Sequence, residues 1–244
     1  MFLYGKNSVF ERLKVNPQSI KMIYLKENFS LSSIEKLIKD KKVPFKRLAS
    51  KEFFKIINSS RNHQGIIALV EEFKYAVFDE LVYSDKNLIP IFLDRVYDPQ
   101  NLGAIIRTCA CLGGFFIVIP KHKACLITET VLHISQGGEN YVPICMVSNF
   151  PNALISLKKR GYWIVGATLR QDALNIEKIS FSFPLALVLG SEAKDLRYGV
   201  DKFLDMRVKI PMREANFSLN VAMACAIFCY EISKQRNFSR NEGA

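Results

Sequence analysis

Ile89-Pro-Ile-Phe-Leu-Asp94, followed closely by Asp98-Pro-Gln-Asn-Leu-Gly-Ala-Ile-Ile-Arg107, is the stretch whose reading decides the fold. A short apolar run with polar residues after it reads as a buried strand, centred on Pro90–Leu93. Pro99 marks the turn, and Asn101–Leu112 has helical spacing with Asn101 as its expected cap. Strand and helix then alternate to the end of the chain. Strands are expected at Phe115–Ile119, Tyr141–Val147, Trp163–Ala167, Leu185–Leu189 and Met206–Ile210. Helices are expected at Ile127–Ser135, Pro151–Arg160 (closed by Gly161), Leu196–Lys202 and Leu219–Lys234. Such alternation predicts an α/β domain on a mostly parallel sheet, spanning residues 89–236.

Two further segments repeat the design of the first, small residues that bare the backbone beside one or two polar side chains at a strand end. They are Leu187-Val-Leu-Gly-Ser-Glu192, and Ile210-Pro-Met212 with Ser218-Leu-Asn220. In α/β proteins the carboxyl ends of strands are where ligands bind. Gly190 permits close backbone approach, and Glu192 is a carboxylate beside a strand end. Ser218 and Asn220 both precede the last helix, where capping accounts for one polar residue more easily than for two. Arg107 sits among residues that want burial, which suits an arginine that meets a ligand or phosphate. Each residue also has an ordinary reading as a cap, a turn or a surface charge. No Gly-x-Gly-x-x-Gly follows the first strand and no P-loop lysine motif is present, which argues against a dinucleotide oxidoreductase and against an NTPase.

Upstream, residues 1–70 read as a small α/β unit. It comprises helices at Ser8–Leu13, at Ile34–Lys39 behind Ser32 and Ser33, and at Ser50–Ile57, with strands at Ile20–Leu25, Val43–Leu48 and Ile66–Val70. Residues 71–88 read as a linker and 237–244 as a polar, flexible tail. The net charge is +11, and residues 1–70 hold 14 Lys and Arg against 5 Asp and Glu, or +9 of it. A basic module on a near-neutral domain suits a polyanion. The apolar stretches Phe183–Gly190 and Val221–Tyr230 are too short for a membrane span. Met1–Ser8 lacks the pattern of a signal peptide. The six cysteines form no Cys-x-x-Cys pair and sit mostly in apolar surroundings, as reduced thiols of a cytoplasmic protein do. Cys225 and Cys229, at i and i+4, are expected to pack in the core rather than bind metal. The three histidines, 63, 122 and 133, match no zinc spacing. No metal is therefore expected.

Taken together, Asp98-Pro-x-Asn-Leu-Gly-x-x-x-Arg107, Leu189-Gly-x-Glu192 and Ile210-Pro-Met…Ser218-Leu-Asn220 resemble, in this order, the SpoU (TrmH-like) RNA 2′-O-ribose methyltransferases of the SPOUT superfamily. Tyr4-Gly5, Val9-Phe-Glu-Arg-Leu13 and His63-Gln-Gly65 resemble the substrate-binding domain that often precedes that catalytic domain, and Ser135-Gln-Gly137 resembles a family turn. The resemblance implies a deep trefoil knot in the α/β domain and a ribosomal-protein-like RNA-binding fold before it. It further implies S-adenosylmethionine as cofactor, RNA as partner and a homodimer. Gly190, Ile210, Leu219, Met212 and Leu189 would hold the cofactor. Asn101, Arg107, Glu192, Ser218 and Asn220 would form the catalytic group. The expected reaction is methylation of a ribose 2′-hydroxyl, in 23S-type rRNA and on a guanosine, with a tRNA enzyme or a weakly catalytic ribosome-assembly factor as alternatives. This chain departs from the family pattern at Ala193-Lys-Asp195 and at Glu214, where glycine is frequent, and at Val221-Ala222, which replaces the frequent Val-Ser. If the charge of residues 1–70 is spent on phosphates, RNA affinity measured across a salt series falls steeply and linearly on a log–log plot; a flat plot contradicts the assignment.

Overall fold

The structure is a computed structural model that describes residues 1–56, 62–84, 87–190, 196–214 and 218–241. In chain order its elements are β1 (Phe2–Tyr4), α1 (Lys6–Val15), β2 (Ile20–Lys26), α2 (Ser32–Asp40), β3 (Phe45–Leu48), α3 (Ser50–Ile56), β4 (Ile66–Val70), α4 (Phe78–Ser84), β5 (Ile89–Asp94) and α5 (Pro99–Leu112). There follow β6 (Phe115–Pro120), α6 (Glu129–Ser135), β7 (Ile144–Val147), α7 (Phe150–Lys158), β8 (Trp163–Ala167), β9 (Leu174–Asn175), β10 (Leu185–Gly190), α8 (Tyr198–Asp201), β11 (Met206–Lys209) and α9 (Val221–Asn241). They form two compact units, one of Met1–Lys74 with Ile127–Tyr141, the other of Tyr75–Leu126 with Val142–Ala244.

The second unit is built on a seven-stranded sheet of order β7-β6-β5-β10-β8-β11-β9, every pairing parallel. β5 and β6 are buried along their whole length and β10 up to Gly190, as unbroken apolar runs must be when helices cover both faces. On one face Phe92, Phe116, Val118 and Val188 pack with Phe150, Leu154 and Leu157 of α7. Their alternates along the strands face the other way, where α5 packs on β6 and α9 on β10, the two helices lying side by side. In β8, a Cβ on Gly166 would come within 2.4 Å of Leu204, so the strand and the turn after α8 meet closely only because that position has no side chain. The edge strand β9 has only two residues and carries no periodic signal.

Several boundaries move from those read in the sequence, each for a local reason. α5 begins at Pro99, not Asn101, because Asp98 is the cap and its carboxylate accepts the Gln100 N–H at 2.8 Å. α2 begins at Ser32 with no side-chain cap; Glu35 instead reaches back to the Leu31 N–H at 3.4 Å. α9 continues to Asn241, through most of the stretch read as a tail. Residues 71–88 contain α4, and Ala76 bridges to Cys145 beside β7.

The first unit has a four-stranded sheet, β1-β4-β2-β3, antiparallel except between β2 and β3. Ile127–Tyr141, which the sequence reading assigns to the 89–236 domain, packs in this unit. The reason is a buried polar knot. Arg12 of α1 donates to Glu139 at 3.0 Å and to Ser19 at 3.2 Å, and Ser135 donates to Glu139 at 2.6 Å. The Arg12 and Glu139 side chains are 8% and 0% exposed, so both charges depend on this pairing. The Ser135-Gln-Gly turn fits against α1 because Gly137, at φ +91°, lacks a Cβ that would lie 2.4 Å from Glu11 Cβ. Tyr4 stacks on His133 with ring centroids 4.4 Å apart, and the Tyr4 carbonyl lies 3.0 Å from His133 Nδ1. His63 is packed by Phe53 and takes the Gly65 N–H on Nδ1; burial, with Lys26 nearby, lowers its pKa, so the ring adds no charge to the basic unit at neutral pH. Arg12→Met leaves Glu139 buried and unpaired, and urea unfolding of this variant shows a loss of about 3–5 kcal/mol. The double variant Arg12→Met/Glu139→Leu recovers much of that loss; equal losses in the two variants contradict the pairing.

Candidate active site

The carboxyl ends of β8, β10 and β11 lie side by side in the sheet, and a cleft opens there. It is lined by Ala167 at the end of β8 with Thr168 and Leu169 after it, Leu189 and Gly190 of β10, Ile210 and Met212 after β11, Ser218 and Leu219, and Val221, Ala224 and Phe228 of α9. The space amounts to about 700 Å³ when the open solvent at its mouth is counted in. Apolar side chains dominate, Thr168 and Ser218 supply hydroxyls, and none of the described lining residues is charged. Such a wall suits a flat, nucleoside-sized ligand held by dispersion and backbone contacts. All five residues expected to hold a cofactor, Leu189, Gly190, Ile210, Met212 and Leu219, line this cleft, as does Ser218.

The polar candidates divide differently. Asn220 donates from its amide to Asn101 Oδ1 at 2.8 Å, joining two residues 119 positions apart. Its own Oδ1 accepts the Ala222 N–H at 2.9 Å, so Asn220 is the one of the Ser218/Asn220 pair that caps α9. Asn101 meets it from the first turn of α5, whose cap is Asp98. Arg107 is exposed on α5. It lies six residues beyond Asn101, which at about 100° per residue sets the two on different faces of the helix. Arg107 is not among the residues that line the cleft. Glu192 lies outside the described residues.

The sequence reading missed several contributors. Ala167, Thr168 and Leu169 stand at a strand end, the same signal that drew attention to the other loops. Asp94 is fully buried and ends β5 opposite Gly190 in the sheet register. It pairs with the Arg197 guanidinium and accepts the Arg197 N–H at 3.3 Å, with Arg95 Nε at 3.6 Å. Asp94 thus meets the chain on both sides of residues 191–195, its backbone paired in register with Gly190 and its carboxylate holding Arg197. Its signal was an acid closing an otherwise apolar strand. Beyond the cleft lining, hydrogen bonds from Arg207, with Arg170 adding to them, hold the Asp201 carboxyl below its usual pKa and tie the segment after Leu169 to α8.

Residues 89–230 match the profile of the SpoU rRNA Methylase family, and residues 2–76 match that of RNA 2′-O ribose methyltransferase substrate binding. The chain belongs to the SpoU rRNA methylase family. The SpoU assignment is reinforced by a relative named as the TrmH family tRNA/rRNA methyltransferase YacO of Bacillus subtilis, 34% identical over 245 residues, covering 97% of this chain and 96% of that protein. Among solved structures, the SpoU methyltransferase AviRb of Streptomyces viridochromogenes, in complex with AdoMet, superposes with a TM-score of 0.80 at 20% identity, over 97% of this chain and 90% of its own. The A. aeolicus TrmH/SpoU tRNA modifying enzyme superposes with a TM-score of 0.57 at 32% identity, over 64% of this chain and 78% of its own. The α/β fold with its parallel seven-stranded sheet is that of SpoU enzymes, and this SpoU protein is an RNA methyltransferase.

Asn220→Asp keeps the cap acceptor but turns the donor facing Asn101 into a second oxygen. The thermal unfolding midpoint of this variant falls by only a few degrees, since Asp caps as well as Asn and the loss is confined to one hydrogen bond. Single-turnover methyl transfer falls about tenfold, as expected for one lost hydrogen bond of roughly 1.4 kcal/mol. Unchanged transfer would remove the amide pair from the site.

Proposed function

We propose that this SpoU enzyme is a cytoplasmic S-adenosylmethionine-dependent methyltransferase acting on a ribose 2′-hydroxyl of structured RNA, with a guanosine of 23S-type rRNA favoured over tRNA. The observation that carries the reading is the apolar, backbone-rich cleft at the ends of β8, β10 and β11, with the Asn101–Asn220 pair fixing the start of α9, one of its walls. The family profile's description as an rRNA methylase and the +9 of residues 1–70 support rRNA. Residues 1–70 would form the RNA-binding module, 71–88 the link, and 89–236 the knotted catalytic domain.

Leu189, Gly190, Ile210, Met212 and Leu219 would hold the cofactor, which when bound supplies an electrophilic methyl group on a sulfonium. The protein's own tasks are then to align the ribose hydroxyl and to see its proton away. Asn101, locked by Asn220, offers a fixed amide for orientation. A guanidinium offers donors and no acceptor, so the part given to Arg107 is to orient the hydroxyl and a neighbouring phosphate rather than to take a proton. Ser218, on the cleft wall, completes the polar group, and Glu192 is the carboxylate assigned to proton transfer.

A second copy of the chain is the partner assigned to the outer face of α9. Met223, Ile227 and Tyr230 recur there at i, i+4 and i+7 and are 62%, 39% and 62% exposed, an apolar stripe that a lone helix surface does not need. Arg107 and Cys111 are exposed on neighbouring α5.

Ribose-methylation mapping of rRNA and tRNA from cells with and without the gene is expected to show one rRNA guanosine methyl lost. A lost tRNA methyl instead would move the substrate to tRNA, and no change in either would favour a binding factor. Arg107→Lys, assayed at saturating RNA, is expected to lose turnover, because an ammonium cannot present the guanidinium's forked donors. Full turnover of that variant would overturn the role given to Arg107.

A further inference from the structure

The sequence shows Cys225 and Cys229 one turn apart on α9, and the structure adds a third thiol to them. Cys109 of α5 faces the pair, and the three sulfur atoms all lie within 4.8 Å of one another, with Cys225 and Cys229 Sγ 3.7 Å apart. All three residues have no exposure to solvent. Half of the chain's six cysteines therefore meet at one point of the α5–α9 joint.

We propose that Cys109, Cys225 and Cys229 form a three-thiol site for a soft, monovalent d¹⁰ ion, Cu(I), bound between α5 and α9. The Cys225–Cys229 separation of 3.7 Å fits, since two sulfurs each about 2.3 Å from one ion stand roughly 3.8–4.0 Å apart, and the third sulfur is close enough to close in on the same ion. The donor set fits a soft ion, which sulfur ligands select over Mg, Ca or Mn. The ligand count decides among soft ions. Structural zinc takes four ligands, and no further His, Cys, Asp or Glu joins the group among the described residues. Three sulfurs suit trigonal Cu(I). Burial limits the charge the site can carry, so two thiols release their protons to solvent and the third stays a neutral donor, leaving one negative charge on the complex. Because the three residues are fully buried, the ion enters the folded chain when α5 and α9 part transiently.

The position gives the site a consequence. Ala224 and Phe228, the neighbours of Cys225 and Cys229, line the cleft, and Cys109 stands on the helix that carries Asn101. A bound ion would pin the two helices to each other without entering the site.

The test is anaerobic titration of the full chain with Cu(I) against a chelator of known affinity, read by thiolate-to-copper charge-transfer absorption. One ion per chain is expected, with affinity lost at least 100-fold in Cys225→Ala and Cys109→Ala and unchanged in Cys111→Ser. Thermal unfolding should shift upward on loading in the wild type and not in the double variant Cys225→Ala/Cys229→Ala. Binding that survives the double variant, tighter binding of Zn(II) than of Cu(I), or no binding above the chelator would each overturn the proposal. Should the alanine variants fail to fold, X-ray absorption of the loaded wild type decides: three sulfur neighbours support the site, and fewer sulfurs or nitrogen and oxygen donors overturn it.

Discussion

The parallel pairing of β5 with β10 is the constraint from which the catalytic unit is organised. Their register, Ile91 beside Leu187 through Asp94 beside Gly190, brings together two strands nearly a hundred residues apart. Parallel strands send all their carboxyl ends to one edge, so the ends of β5, β8, β10 and β11 have no choice but to gather there. The apolar runs that form these strands carry no chemistry. What they contribute is placement, and burial on both faces makes a slip in register costly.

Within that edge the division of labour is physical. Strand ends with small or apolar residues expose backbone and build a wall; the polar residues stand on the helices that follow. The Asn101–Asn220 bond crosses from α5 to α9 at the point where both helices begin, and each helix solves its capping separately, α5 through Asp98 and α9 through Asn220 itself. Asp94 performs the complementary service at β10, anchoring Arg197 from inside the sheet.

Much of this was legible beforehand. Apolar runs flanked by glycine, proline and asparagine marked the main strands of the catalytic unit, and the lining residues Leu189, Gly190, Ile210, Met212 and Leu219 followed from the resemblance to the SpoU methyltransferases. What escaped notice depended on contacts remote in sequence. Nothing near Asp94 indicates that its partner is Arg197. Nothing near Glu139 indicates that Arg12 will claim it and draw Ile127–Tyr141 away from the sheet that surrounds it in sequence. The capping of α5 was misread because Asp98 and Asn101 are both good caps, and only the Pro99 between them, best placed in a helix's first turn, favoured the earlier one.

The claim of Arg12 on Glu139 also bears on how the gene can be cut. The first unit is made of two pieces of chain, so the polypeptide passes from one unit to the other three times, near residues 74, 126 and 141. No single break releases the catalytic unit intact. A fragment beginning at Tyr75 would carry Ile127–Tyr141 as an orphan, with Val131 and Leu132 bared to water and Glu139 ionised without its arginine. Modular exchange of the basic unit between relatives therefore has to transplant fifteen residues from the middle of the catalytic sequence along with the amino-terminal seventy-four, or keep both native surfaces matched.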